Sequence, residues 1–178
     1  MKSGEINSLF KNLSKVIKNP RSDLKYKNKF TLLVSVVLSA QCTDVNVNNV
    51  TKNIYPKYNK PEHFFRLGRK KIEKLIKSIG LFRNKAKSVY LLSKQLIEKH
   101  NGKVPKNFDD LYALPGVGKK TASVVLNEGF GLPTIAVDTH VFRVSNRTGL
   151  ASGKNPDELQ RSLYKVVPKK YLKKEGHT

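Results

Sequence analysis

Residues 114–130 read LPGVGKKTASVVLNEGF, and few backbones can accommodate that order. Pro115 cannot continue a helix ending at Leu114, whereas Gly116 and Gly118 can take the positive φ values and close backbone approach that other residues resist. The chain must reverse tightly there. Beyond the reversal, Ala122, Val125 and Leu126 recur at helical spacing and Val124 widens the apolar face, which predicts a second helix from Lys119 or Lys120. The first N–H groups of that helix lack intrahelical partners and carry partial positive charge, so a glycine turn leading into them can seat a phosphate. A tight αα-corner without a ligand is the competing reading, because short glycine motifs also arise by chance. The preceding proline, the flanking helical patterns and the basic surroundings favour phosphate, giving a helix-hairpin-helix reading.

The rest of the chain repeats helical spacing. Residues 30–40, FTLLVSVVLSA, are apolar almost all round and predict a buried central helix, with a strand as the alternative because several are β-branched. Val47, Val50 and Ile54 predict the next helix, starting near Thr43 or Asp44 and closed by Pro56. Ile72, Leu75, Ile76 and Ile79 follow at i, i+3, i+4 and i+7, with Gly80 as the expected C′ residue. Ala86, Val89, Tyr90, Ser93, Leu96 and Ile97 form another such face, and a short helix from Asn107 or Phe108 leads into the hairpin. Downstream, Asp138 stands at an N-cap position with Val137 and Phe142 spaced as a hydrophobic staple. Asn155, Pro156 and Glu158 form a second N-cap, N1 and N3 set ahead of Leu159, Leu163, Val166 and Val167. The expected class is all-α.

Charge narrows the partner. The 178 residues carry 35 Lys and Arg against 13 Asp and Glu, a formal net charge of +22. Such an excess repels itself unless a polyanion or a membrane surface compensates it, and nucleic acid is the usual partner. Lysine supplies 28 of the basic residues and Asn is also abundant, a bias that genomic base composition can produce without any such partner. The N-terminal segment places Ile6, Leu9, Phe10, Leu13, Val16 and Ile17 on one helical face rather than in an unbroken apolar run, so the expectation is a soluble, cytoplasmic protein with no membrane partner, a basic helix lying on a membrane surface being the alternative. Cys42 is the sole cysteine, which excludes an internal disulfide and an all-cysteine metal site within these residues. His63, His100 and His177 show no metal-ligand spacing, so no metal is assigned.

Three segments resemble the endonuclease III family of bifunctional DNA glycosylases: LPGVGKKTASVVL from Leu114, PTIAVDTHVFRVSNRTGL from Pro133, and SAQCTDVNVN from Ser39. The resemblance extends from near the N-terminus to about Lys170. It implies a helix-hairpin-helix glycosylase fold with two helical domains flanking a DNA-binding cleft, a six-helix domain over residues 21–132 with the hairpin at about 108–130, and a second domain from residues 1–20 and 133–178. It also implies nucleoid-associated base excision repair, probing double-stranded DNA for damaged pyrimidines or abasic sites, by a protein expected to be a monomer. Family members continue into a loop whose four cysteines hold a 4Fe-4S cluster. No cysteine follows Cys42, so no cofactor is expected to be ligated by this chain, and a truncated or cluster-free relative with an incomplete second domain is expected. Apolar faces on the first helix and around residues 159–167 would then be uncovered.

The match assigns roles residue by residue. Cutting the strand after releasing a base requires a nucleophile able to form a Schiff base, which an amine does and an activated water does not. Lys120 aligns with the family's catalytic lysine, with Lys119 as the fallback or a phosphate contact. Burial and a positive helix start favour the neutral, reactive amine, and a nearby carboxylate opposes it. Asp138 aligns with the catalytic aspartate, which can stabilise positive charge on the sugar or accept the lysine's proton; plain N-capping is its ordinary alternative. Gln41 and Leu81 match the residues that fill the gap left by a flipped nucleotide, although Leu81 could equally be a helix C-cap contact. Gly116, Gly118, Arg143 and Arg147 are expected at phosphates, and Asp44 and His140 near the substrate pocket. An adenine or mismatch glycosylase without lyase activity is disfavoured by the lysine, and a non-enzymatic helix-hairpin-helix DNA-binding protein or inactive remnant stays in competition.

Overall fold

The computed structural model describes residues 1–16 and 22–172. Ile17 of the expected apolar face, the expected boundary at Arg21, and His177 lie outside them. Among the described residues the regular elements are all helical: α1 (Ser3–Val16), α2 (Lys29–Leu38), α3 (Asp44–Thr51), α4 (Pro61–Leu67), α5 (Arg69–Leu75), α6 (Phe82–His100), α7 (Phe108–Tyr112), α8 (Lys119–Phe130), α9 (Thr139–Thr148) and α10 (Pro156–Val166), then a 3-10 turn at Lys169–Tyr171. None is long and apolar enough to cross a membrane.

Ser22–Val125 forms one compact unit. Its centre is α2, whose residues from Phe30 to Leu38 are all buried, which settles the helix-or-strand question for that segment. A capping box starts it: the Asn28 side chain accepts from the Thr31 N–H at 2.8 Å, and the Thr31 hydroxyl accepts from the Asn28 N–H at 2.9 Å. Around α2 pack α3 and α6, with α4 and α5 against α6. Phe64 of α4 meets Phe30 edge-to-face at 5.5 Å between ring centroids.

Two expected helix ends differ. α3 stops at Thr51 rather than at Pro56, yet Ile54 is buried from the turn that follows. α5 stops at Leu75, and Ile76 and Ile79 are buried from a turn. Gly80 is not the left-handed residue expected there; Leu81 is, at φ 59°. Apolar spacing reports which side chains are buried, and a turn can bury them as well as a helix can.

Met1–Arg21 and Leu126–Thr178 form the other unit. Asn155 caps α10 through the Glu158 N–H at 2.9 Å, with Pro156 at N1, as the sequence predicts. The apolar face of α10 is covered, contrary to the expectation of an open one: Leu159, Leu163 and Val167 are buried with Ala151 beneath Phe10, Ile135, Val137, Val141, Phe142, Tyr171 and Leu172. Phe10 of α1 stacks on Tyr171 at 5.2 Å. Leu13 and Val16 of α1 are exposed.

Candidate nucleic-acid interface

The hairpin begins at α7. Asn107 caps that helix through the Asp110 N–H at 2.8 Å, and the turn closes with Val117 N–H donating to Leu114 O at 3.1 Å. Gly116 sits at φ 76°, and a Cβ on it would stand 2.5 Å from the Ser88 Cβ of α6, so both the conformation and the packing require glycine. Gly118 has no positive φ, unlike the paired expectation, and a Cβ there would meet nothing within 4 Å. Its carbonyl accepts the first α8 bond, from Ala122 N–H at 2.9 Å. Bare backbone at an exposed helix start is what a phosphate needs for close approach. Ala122, Val125 and Leu126 anchor the inner face of α8, while Lys119 and Lys120 are exposed in its first turn. The burial invoked for the Lys120 amine is therefore absent from the protein by itself.

Within the same unit, Gln41 and Leu81 lie on two linked turns, and Asp44 opens the helix that follows the first. Gln41 and Leu81 are exposed, and both occupy left-handed backbone, at φ 53° and 59°. That region is costly for a long or branched side chain, and such outliers gather at functional sites. Asp44 is half-buried at the first position of α3, behind Thr43, whose hydroxyl accepts from the Asn46 N–H at 3.2 Å. The Asn46 side-chain amide donates to Cys42 Sγ at 3.3 Å and to Ser78 O at 3.4 Å, tying one turn to the other. Lys85 ties them again. Its buried Nζ donates to Leu38 O at 2.9 Å and to Ala40 O at 2.6 Å, and its backbone N–H donates to Leu81 O at 3.0 Å. Burial pulls the Lys85 ammonium below the usual lysine range, opposed by the charge of Cys42.

Sequence reading missed Lys85, Asn46 and Ser88. The signal for Lys85 was present, since it is spaced with Val89, Leu92 and Leu96 at i, i+4, i+7 and i+11 on the buried face of α6.

The remaining expected site residues belong to the other unit. Asp138 caps α9, its carboxylate accepting from the Val141 N–H at 2.8 Å, and Val137 and Phe142 both pack on the α10 core. Asp138 is half-buried. His140, Arg143 and Arg147 follow at i, i+3 and i+7 and are all exposed, so one face of α9 carries both arginines. Among the described residues no three His, Cys, Asp or Glu side chains are grouped to hold a metal. One thiol, at Cys42, does not fit a cluster that needs four.

The chain resembles known proteins in sequence and in fold. The family described as HhH-GPD superfamily base excision DNA repair protein matches residues 34–169. The chain is 49% identical over 177 residues to the endonuclease III of Rickettsia conorii, covering 99% of itself and 84% of that protein. It is also 49% identical over 153 residues to that of Escherichia coli K12, covering 86% and 72%. Among solved structures it resembles a trapped endonuclease III–DNA covalent intermediate, an estranged-adenine complex, with a TM-score of 0.90 at 43% identity over 97% of this chain and 81% of that one. A thermostable thymine-DNA glycosylase matches at TM-score 0.82 and 25% identity over 93% and 80%.

Proposed function

The chain belongs to the endonuclease III family, within the HhH-GPD superfamily of base excision DNA repair proteins, and from that premise we propose that it is a DNA N-glycosylase that removes oxidised pyrimidines and cleaves the resulting strand by β-elimination. One observation carries this reading: Lys120 stands at the exposed first turn of α8, directly behind the Pro115–Gly118 turn, in a chain 43% identical to an endonuclease III trapped as a covalent intermediate with DNA.

The Lys120 amine attacks C1′ of the damaged nucleotide, and the base departs with the electrons of its glycosidic bond, taking up a proton. The nitrogen lone pair then breaks the C1′–O4′ bond, O4′ takes up a proton, and the opened sugar is held as a protonated Schiff base between C1′ and Nζ. Loss of a proton from C2′ expels the 3′ phosphate oxygen, and hydrolysis of the imine frees the lysine. Because Lys120 is exposed in the protein by itself, it is the bound nucleotide that excludes water from the amine. Asp138 caps α9 and supplies negative charge to the cationic sugar, or takes the lysine's proton. Gln41 and Leu81 fill the space of the flipped nucleotide, Gly116, Gly118, Lys119, Arg143 and Arg147 hold phosphates, and Asp44 and His140 line the pocket. The partner is double-stranded DNA carrying damaged pyrimidines or abasic sites, met by a monomer at the nucleoid in the cytoplasm.

Borohydride trapping on abasic and thymine-glycol duplexes tests the reading, because only an imine is reduced to a stable adduct. The wild-type chain is expected to give one, Lys120→Met none, and Asp138→Asn about 10²-fold less with an unchanged melt, since Asn caps about as well as Asp. Nicking of abasic duplex by Lys120→Met at the wild-type rate would overturn the assignment. DNA binding without any wild-type adduct would leave a binding protein.

A further inference from the structure

We propose that Lys85 is a positioning residue whose side chain locks the turns bearing Gln41 and Leu81 into one rigid wedge, so that both enter an opened duplex together. The inference rests on the reading of Gln41 and Leu81 as gap-filling residues and assigns what holds them.

Lys85 is 6% exposed, whereas Leu81 is 57% exposed. A buried ammonium is expensive unless it is hydrogen-bonded, and here the acceptors are Leu38 O at the end of α2 and Ala40 O, one residue before Gln41. A cation at the negative end of α2 is well placed electrostatically. The same residue starts from the other turn, because its backbone N–H closes on Leu81 O. Lys85 is thus bonded to both turns, beside left-handed Gln41 and at left-handed Leu81 itself. Asn46 makes a second, weaker tie through Cys42 and Ser78.

Rigidity is what the two tips need. Separating stacked bases is costly, and a side chain that must first be ordered inserts less effectively than one already held. A lysine that merely capped α2 would matter for folding and nothing else. As a positioning residue it matters most where a duplex has to be opened, and little on an abasic strand with no partner.

The test compares borohydride trapping on an abasic duplex and on the same abasic strand unpaired, for wild type, Lys85→Met, Leu81→Ala and the double variant. Lys85→Met is expected to slow trapping on the duplex by about tenfold or more while leaving the single strand near wild type, and to add little once Leu81 is Ala. Equal slowing on both substrates, or a duplex defect that multiplies with that of Leu81→Ala, would overturn the proposal. If Lys85→Met does not fold, Asn46→Ala cuts the other tie and is expected to give a smaller duplex-selective defect, with an equal effect on both substrates counting against the wedge. Fluorescence of 2-aminopurine opposite a stable abasic analogue reads insertion without a covalent step, and should rise on adding wild type but not Lys85→Met. That contrast without any wild-type adduct would defeat the Schiff-base reading and still support the wedge; the same rise with both proteins would defeat the wedge.

Discussion

At the scale of single residues, Tyr55 shows how a polar group can hold an apolar centre together. Its hydroxyl, buried among α2 and the turn after α3, donates to Thr31 O at 3.0 Å and is hydrogen-bonded to the Ser35 hydroxyl. Burial pushes this phenol well above its ordinary value, and the Ser35 hydrogen bond opposes the rise. Tyr55→Phe leaves Thr31 O and Ser35 Oγ short of a partner and is expected to cost about 1–2 kcal/mol at neutral pH. The folded form keeps its proton above pH about 10 while the unfolded form loses it, so the stabilisation is complete below that pH and is lost as pH rises further. Urea midpoints at pH 8 and pH 11 check both parts: the gap between wild type and Tyr55→Phe should narrow at the higher pH, and a constant gap would refute the linkage. Neither this pair nor the acceptors of the Lys85 ammonium, 47 and 45 residues away, were legible in the sequence. Thr31 and Ser35 sit in an apolar run where helical spacing marks them only as buried, and their partners come from 24 and 20 residues away. The left-handed Leu81 was hidden for a related reason, since Gly80 beside it was the obvious candidate and backbone angles leave no periodic trace.

At the scale of elements, local chemistry was readable and long-range packing was not. The caps at Asn107, Asp138 and Asn155 each act within three residues of themselves, and the chain order alone displays them. The ends of α3 and α5 depend on which neighbour covers Ile54, Ile76 and Ile79, which no window of sequence contains. The hairpin divides the same way. Its turn was legible from Pro115 and two glycines, but the distinct duties of those glycines depend on Ser88, far away on α6. Gly116→Ala meets both a positive φ and Ser88, and is expected to destabilise by about 1–3 kcal/mol. Gly118→Ala meets neither, so its melt should stay within about 0.5 kcal/mol of wild type, while affinity for duplex DNA falls if a phosphate approaches that backbone. Thermal melts and DNA titrations of the two variants separate the duties. Equal destabilisation by both would mean that the hairpin is a folding device alone.

At the scale of the whole molecule, charge is the property that composition displays and structure must explain. Thirteen acidic residues cannot neutralise 35 basic ones however they pair, and pairs such as Arg69–Glu73 and Lys94–Glu98 are local to single helices. Two origins of the excess make different forecasts. Charge that merely follows nucleotide bias is scattered, and single replacements should not change how salt weakens DNA binding. Charge placed for DNA concentrates its effect, since each phosphate neutralised adds about 0.9 to the magnitude of the log–log salt slope. Arg143 and Arg147 decide between them, being exposed on one face of α9 beyond the Asp138 cap. Replacing both with Ala should reduce the slope by about two and leave the melt unchanged, because neither belongs to the apolar cluster beneath them. Fluorescence anisotropy with undamaged duplex across about 50–200 mM salt measures it. A slope unmoved by the double replacement would take the α9 face off the DNA and return the charge to its compositional origin.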